Sequence, residues 1–146
     1  MVNIRVAKTK DWREILKFLR ETPELQGSGR KVDPEYTKDY VVDSINNKNE
    51  NIVLVAEEDK IIGLLTAEIF KKKRFSYLTD FAIKQEYRKK GIGKSLYQEF
   101  EKMLKKNKII TVAGITKTSN KAMHKLLKSQ RIDIGEKFYF FVKSLR

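Results

Sequence analysis

The stretch "EYRKKGIGKSLYQEF", residues 86–100, decides how the chain is read, because its glycines, Gly91 and Gly93, introduce a run with helical spacing. In "KSLYQEFEKMLKKNK" the residues Leu96, Phe100, Met103 and Leu104 share one face, and Glu101 with Lys105 supports the other. A helix therefore starts at the glycines. "GIGKS" imitates the tail of a P-loop, but that loop needs a glycine five positions before Gly93, where the chain has Arg88. A dinucleotide-binding G-x-G-x-x-G fails too, since its third glycine position is Leu96. What is left is a strand, then R-x-x-G-x-G, then an amphipathic helix. Glycines let a ligand approach the backbone closely, and the free N–H groups of a helix start meet the positive end of the helix dipole, which suits a phosphate. An ordinary strand-to-helix turn that needs positive φ is the plainer alternative.

The strand leading into the loop is "SYLTDFAI", reached from "NIVLVAEEDKIIGLLTAEIF" through the basic turn "KKKRF". That longer segment reads as two apolar strands joined at "EEDK", too short a link for anything but a hairpin. Near the N-terminus, Val2, Ile4 and Val6 alternate as in a strand. A helix follows from Asp11 as cap, with Glu14 three residues on and Trp12, Ile15, Leu16 and Leu19 as its stripe. "TPELQGSGRKV" is a loop, and Asp33, Pro34 and Glu35 announce a second helix. Beyond the glycine-led helix come "IITVAGI", a short buried strand, "SNKAMHKLLKS", a helix capped by Ser119 or Asn120, and "EKFYFFVKSL", a closing strand. The order is β-α-α-β-β-β-α-β-α-β: an α/β fold, one domain over 1–146, whose mixed sheet is covered on both faces.

Composition narrows the chemistry. With 146 residues and no cysteine, the chain can bury one core and has no thiolate for a disulfide, a zinc site or a covalent acyl intermediate. No metal is expected. The first twenty residues interleave charges with apolar positions, so a soluble, cytoplasmic protein without a membrane partner is expected. A net charge of +13, from 32 Lys and Arg against 19 Asp and Glu, calls for an anionic partner. The basic runs at 71–74 and 88–90 and Lys117, Lys121, Lys125 and Lys128 read either as a solvated face or as an attraction for phosphates that repels polycations.

"YLTDFAIKQEYRKKGIGKSLYQEFEKML" resembles the acetyl-CoA-binding signature of the GNAT N-acetyltransferase superfamily, and the element order and "TSNKAMHKLLK" extend that resemblance over nearly the whole chain. The resemblance implies that Arg88, Lys89, Lys90, Gly91, Ile92, Gly93 and Lys94 wrap the pyrophosphate of coenzyme A. It implies that Phe81, Ala82 and Ile83 offer main-chain hydrogen bonds to the pantetheine arm, which lies where the fourth and fifth strands splay apart. Asn120 is placed with the cofactor residues. The implied activity is acetyl transfer from acetyl-CoA to a primary amine of a protein or small molecule, by direct attack in a ternary complex. The acceptor side is open to a protein or another anionic surface, and a homodimer stays open.

Family members often use a Glu, or a Tyr acting through water, on the strand before the loop. Tyr77 and Asp80 are the catalytic candidates here. Strand alternation puts Tyr77, Thr79 and Phe81 on one face and Asp80 on the other with Leu78 and Ala82, unless a bulge re-aims it. The plainer readings are a sheet aromatic for Tyr77 and a helix- or loop-bonded carboxylate for Asp80. The usual acid is missing: the family's Tyr and Gly-Phe positions, counted from Asn120, are Leu127, Arg131 and Ile132. His124 shares a helical face with Asn120 and Leu127, and Tyr36 and Tyr40 read as acceptor-side or core residues. A noncatalytic acyl-CoA-binding regulator and a basic nucleic-acid-binding domain remain as alternatives.

Overall fold

The computed structural model describes residues 1–25, 36–141, 143 and 145. The glycine-led helix, α3, spans Ile92–Lys106 and is capped by Gly91 at φ 80°, a left-handed conformation that glycine adopts without a Cβ penalty. Leu96 and Phe100 are fully buried and Leu104 nearly so, against Ile52, Leu54, Leu65, Phe81 and Ile83 of the sheet. Burial of an aliphatic or aromatic side chain of this size contributes about 1.5–3 kcal/mol, so this one stripe fixes α3 on the sheet. Tyr97 stacks on Phe81 at 6.5 Å, joining the helix to the strand that precedes its own loop.

The sheet has five strands in the order β1-β2-β3-β4-β5: β1 (Asn3–Val6), β2 (Asn51–Glu57), β3 (Ile61–Phe70), β4 (Phe75–Ile83) and β5 (Thr111–Gly114). Neighbours are antiparallel except for β4 and β5, which run parallel across the crossover made by α3. The opposite face carries α1 (Trp12–Glu21) and α2 (Lys38–Asn46), whose Ile15, Phe18, Leu19, Val41 and Ile45 pack on Val53, Val55, Leu64 and Ala82. Residues 52–56 of β2 are buried without alternation because both faces are covered. Glu14 of α1 accepts a 2.6 Å hydrogen bond from the Ile61 N–H at the start of β3. The last helix, α4 (Lys121–Ser129), lies on the α3 side, where Met123 and Leu126 reach the core.

Four local expectations change. Asp11 precedes α1 but does not cap it: its carboxylate accepts from the Lys8 N–H at 2.7 Å and from both Nη atoms of Arg5, at 2.8 and 3.0 Å. A charge-assisted pair outweighs a capping bond there. Asp33, Pro34 and Glu35 lie outside the described residues, whereas Tyr36 and Thr37 precede α2 and Thr37 caps it by accepting from Tyr40 N–H. "IITVAGI" is an edge rather than a buried strand, with Ile110 and Ile115 about 70% exposed. The closing strand is not formed, since the described residues of 133–145 are in neither helix nor strand, and Phe138 and Tyr139 are exposed. A strand pattern needs a partner edge, and alternation in sequence cannot supply one.

Candidate active site

The loop between β4 and α3 is built to expose backbone donors. Arg88 turns back to donate from Nε to the Ile83 carbonyl at 2.8 Å, which pins the loop to the end of β4. Lys89 has φ 63° and Gly91 φ 80°, so two left-handed residues bend the chain into the first turn of α3. The Gly91 carbonyl accepts from the N–H of Ser95 at 3.0 Å and from its hydroxyl at 3.1 Å. The N–H groups of the first turn point the other way, with no acidic residue within that turn and with Lys89, Lys90 and Lys94 close in sequence. Free N–H groups at the positive end of a helix dipole suit an anion.

The two glycines divide the work. A Cβ on Gly91 would meet nothing within 4 Å, so this residue is required for its φ. A Cβ on Gly93 would come within 2.6 Å of Leu126 Cδ1. Gly93 thus serves the packing of α4 on α3, and Ile92 is a buried core residue. Among the sequence-predicted phosphate residues, these two act first through the scaffold.

The β4–β5 ladder stops early. Its pairs run from Phe75↔Thr111 to Leu78↔Gly114, whereas β4 continues to Ile83. Among the described residues, the β5-side edge of β4 at Phe81, Ala82 and Ile83 therefore has no strand beside it, which leaves room for an extended ligand along the main chain, although the Ile83 carbonyl already accepts from Arg88. Thr116, two residues beyond the end of β5, has a buried hydroxyl without a hydrogen-bond partner among the described residues. An uncovered strand edge, an orphaned hydroxyl and free N–H groups at a helix start are what an extended phosphorylated molecule such as acetyl-CoA requires, so the residues fit that group.

A bulge in β4 corrects the assignment of faces. The register with β3 passes from Thr66↔Asp80 to Ala67↔Leu78, so Thr79 is the extra residue. Leu78 packs toward α3 while Asp80 and Ala82 turn toward α1 and α2, which brings Tyr77 and Asp80 to one face. Asp80 is 5% exposed. Its carboxylate accepts from the Tyr36 hydroxyl at 2.8 Å and from Thr66 Oγ1 at 2.7 Å, and Thr79 Oγ1 stands 2.6 Å from Thr66 Oγ1. Since the one hydroxyl hydrogen of Thr66 goes to the carboxylate, Thr79 donates to Thr66. Burial raises the Asp80 pKa, and the bonds from Thr66 and Tyr36 pull it back part of the way. The Tyr36 hydroxyl is pushed far above its ordinary range, by burial first and then by the adjacent carboxylate. Arg20 donates to the Tyr36 carbonyl at 2.9 Å and holds this residue in place.

Thr66 carries no motif that singles it out, and its role comes from the register alone. On α4, Asn120 caps the helix by accepting from the Met123 N–H at 3.1 Å, and His124 Nε2 lies 2.9 Å from the Lys117 carbonyl. Leu127 is half-buried and offers no proton. Arg131 takes φ 61° and Ile132 packs on the core. A hollow of about 280 Å³ lined by Val2, Ile4, Glu58, Tyr87, Lys90 and Gly91 opens beside the loop on the α3 face, across the sheet from Asp80, and Glu58 brings a carboxylate to it beside Lys90. It adjoins the loop rather than Asp80.

The fourth and fifth strands of the mixed sheet part after Leu78, the fourth strand carries a buried carboxylate, and its end leads into a glycine-capped helix. The model of the acetyltransferase (GNAT) family matches residues 12–130, and the chain belongs to that family. Solved structures share the fold at low identity. An aminoglycoside acetyltransferase from an uncultured soil metagenomic sample, in complex with sisomicin, is 19% identical with a TM-score of 0.76, covering 99% of this chain and 97% of that one. PaiA N-acetyltransferase from Thermoplasma acidophilum, in complex with coenzyme A, is 21% identical with a TM-score of 0.72, covering 89% and 88%. The ribosomal-protein-alanine N-acetyltransferase from Brucella melitensis biovar Abortus 2308 is 13% identical with a TM-score of 0.74, covering 98% and 99%. Among curated proteins none matches the chain in sequence.

Proposed function

We propose that the protein transfers an acetyl group from acetyl-CoA to a primary amine by direct attack within a ternary complex. One observation carries this reading: the buried Asp80 carboxylate stands two residues past Leu78, where β5 leaves β4, on the same strand that runs on into the glycine loop. Acetyl-CoA supplies a thioester carbonyl as electrophile and a thiolate as leaving group. The loop residues Arg88–Lys94 hold its phosphates, the edge at Phe81, Ala82 and Ile83 aligns its arm, and Asn120, the cap of α4, is assigned to the cofactor with them.

Asp80 accepts the proton of the incoming amine, directly or through the Tyr36 hydroxyl, which passes its own proton to Asp80 as it takes the amine's. A carboxylate with a raised pKa suits this work better than one in water, because proton transfer is most efficient when the base is tuned toward the working pH. Tyr77 lines the same face and orients the acceptor. No cysteine is present to carry an acyl group, which favours direct attack. With Leu127 in place of a phenol, the departing sulfur takes its proton from water. Association into a homodimer belongs to the same proposal, supported by the open edge of β5 and the exposed Phe138 and Phe140.

The test is thiol release from acetyl-CoA across a panel of amines, with calorimetry of coenzyme A binding beside it. Amine-dependent release is expected. A folded protein that binds coenzyme A yet releases no thiol with any amine would favour the regulator reading, which the leucine at 127 otherwise motivates.

A further inference from the structure

Glu68 stands two residues along β3 from Thr66, roughly 7 Å at strand rise. Ala67 and Ile69 are buried in the α3-side core, which leaves Thr66 and Glu68 on the face of Asp80. The partner of Glu68 across the β3–β4 ladder is Tyr77, on the same face and half-buried. Tyr40 completes the wall: its ring lies 5.7 Å from that of Tyr36, and it is 41% exposed. After burial, the charges acting on the Tyr40 hydroxyl are those of Asp80 and Glu68, and together they push its pKa up to about 12.

Both charges that act on the Tyr40 hydroxyl are thus negative, in a chain of net charge +13. The basic turn after β3 keeps its positive charge, but three of its side chains engage other groups: Lys71 reaches Asn49, Lys73 lies over the Phe70 ring and Arg74 donates to the Lys108 carbonyl. Among the described residues Glu68 has no ion pair, and it is exposed.

We propose that Glu68 is a specificity-determining residue that holds a second positive charge of the acceptor, with Tyr36, Tyr40 and Tyr77 as the aromatic wall along a short aliphatic diamine. This rests on Asp80 receiving the proton of the reacting amine. Ring faces attract ammonium groups and cover methylenes, and an exposed carboxylate at the far end selects charge over a neutral hydroxyl. The basic runs repel polycations as a whole, whereas two charges placed along this wall meet two carboxylates.

Diaminopentane and aminopentanol differ only at the far end and serve as probes, by calorimetry on the coenzyme A complex and by thiol release. The parent is expected to prefer diaminopentane about fivefold, or ~1 kcal/mol. Glu68→Gln should bring that ratio close to one, and Glu68→Lys should reverse it. A parent ratio near one in both assays, or one that survives both substitutions, overturns the inference. If thiol release fails with both amines while the Glu68-dependent preference persists in binding, the role of Asp80 falls and that of Glu68 stands.

Discussion

Replacing Asp80 by Asn separates the chemistry of the site from its folding. The carboxylate is 5% exposed and accepts two hydrogen bonds, from Tyr36 at 2.8 Å and Thr66 at 2.7 Å. An amide in its place keeps an oxygen for Tyr36, and its NH2 donates to Thr66 Oγ1, whose own hydrogen then turns to Thr79 at 2.6 Å. The second amide hydrogen and the Thr79 hydroxyl hydrogen are left without these partners, so folding should weaken by about 1–3 kcal/mol. Losing the proton acceptor is different: it lowers kcat by about 100- to 10,000-fold, or ~3–5 kcal/mol of barrier.

Stability should also respond to pH in a definite sense. The folded pKa of Asp80 is raised above the ordinary 3.8, so its stabilising contribution is fully present below that value and is lost as pH rises through the folded pKa. The variant lacks this component. It should therefore compare best with the parent near neutral pH and lose ground on acidification. Thiol release, coenzyme A calorimetry and urea melts at two pH values read the three quantities. A folded Asp80→Asn protein with near-parent turnover would refute the base assignment, and a folding loss well beyond the expected range would show a structural carboxylate.

Tyr36→Phe removes a hydrogen bond that lowers the Asp80 pKa, so the acid limb of the kcat profile should move to higher pH and kcat should fall by about tenfold or more, as a pH–rate series would read. Gly91→Asp meets no steric obstacle but places a carboxylate at the anion site and a Cβ at φ 80°, so coenzyme A affinity should collapse while the far-UV spectrum stays native. Unchanged affinity would remove the basis for the phosphate loop. Arg131→Gly relieves a left-handed residue at the end of α4, and thermal melts should show a gain of about 0.5–1 kcal/mol.

The α3 stripe, the left-handed turn at Gly91, the β2–β3 hairpin and the lack of a thiol nucleophile are all legible in the order of residues, because each depends on local spacing or on composition. The same holds for the family signature, which is a local motif. The candidate base was not legible in that way. A strand's alternation predicts faces only while each residue has one partner, and Thr79 breaks that count without any mark in the sequence. Nor could spacing bring Tyr36 to Asp80, 44 residues away, since their contact depends on how α2 lies across the sheet. Gly93 read as a place for ligand approach, yet the space it leaves is taken by Leu126 of a helix that comes later in the chain. "EKFYFFVKSL" carries a strand's residues, but its described residues do not take a strand's conformation, because backbone pairing depends on a neighbouring edge that composition cannot specify. Local periodicity determines which elements form, while register, partner edges and packing determine which side chains meet.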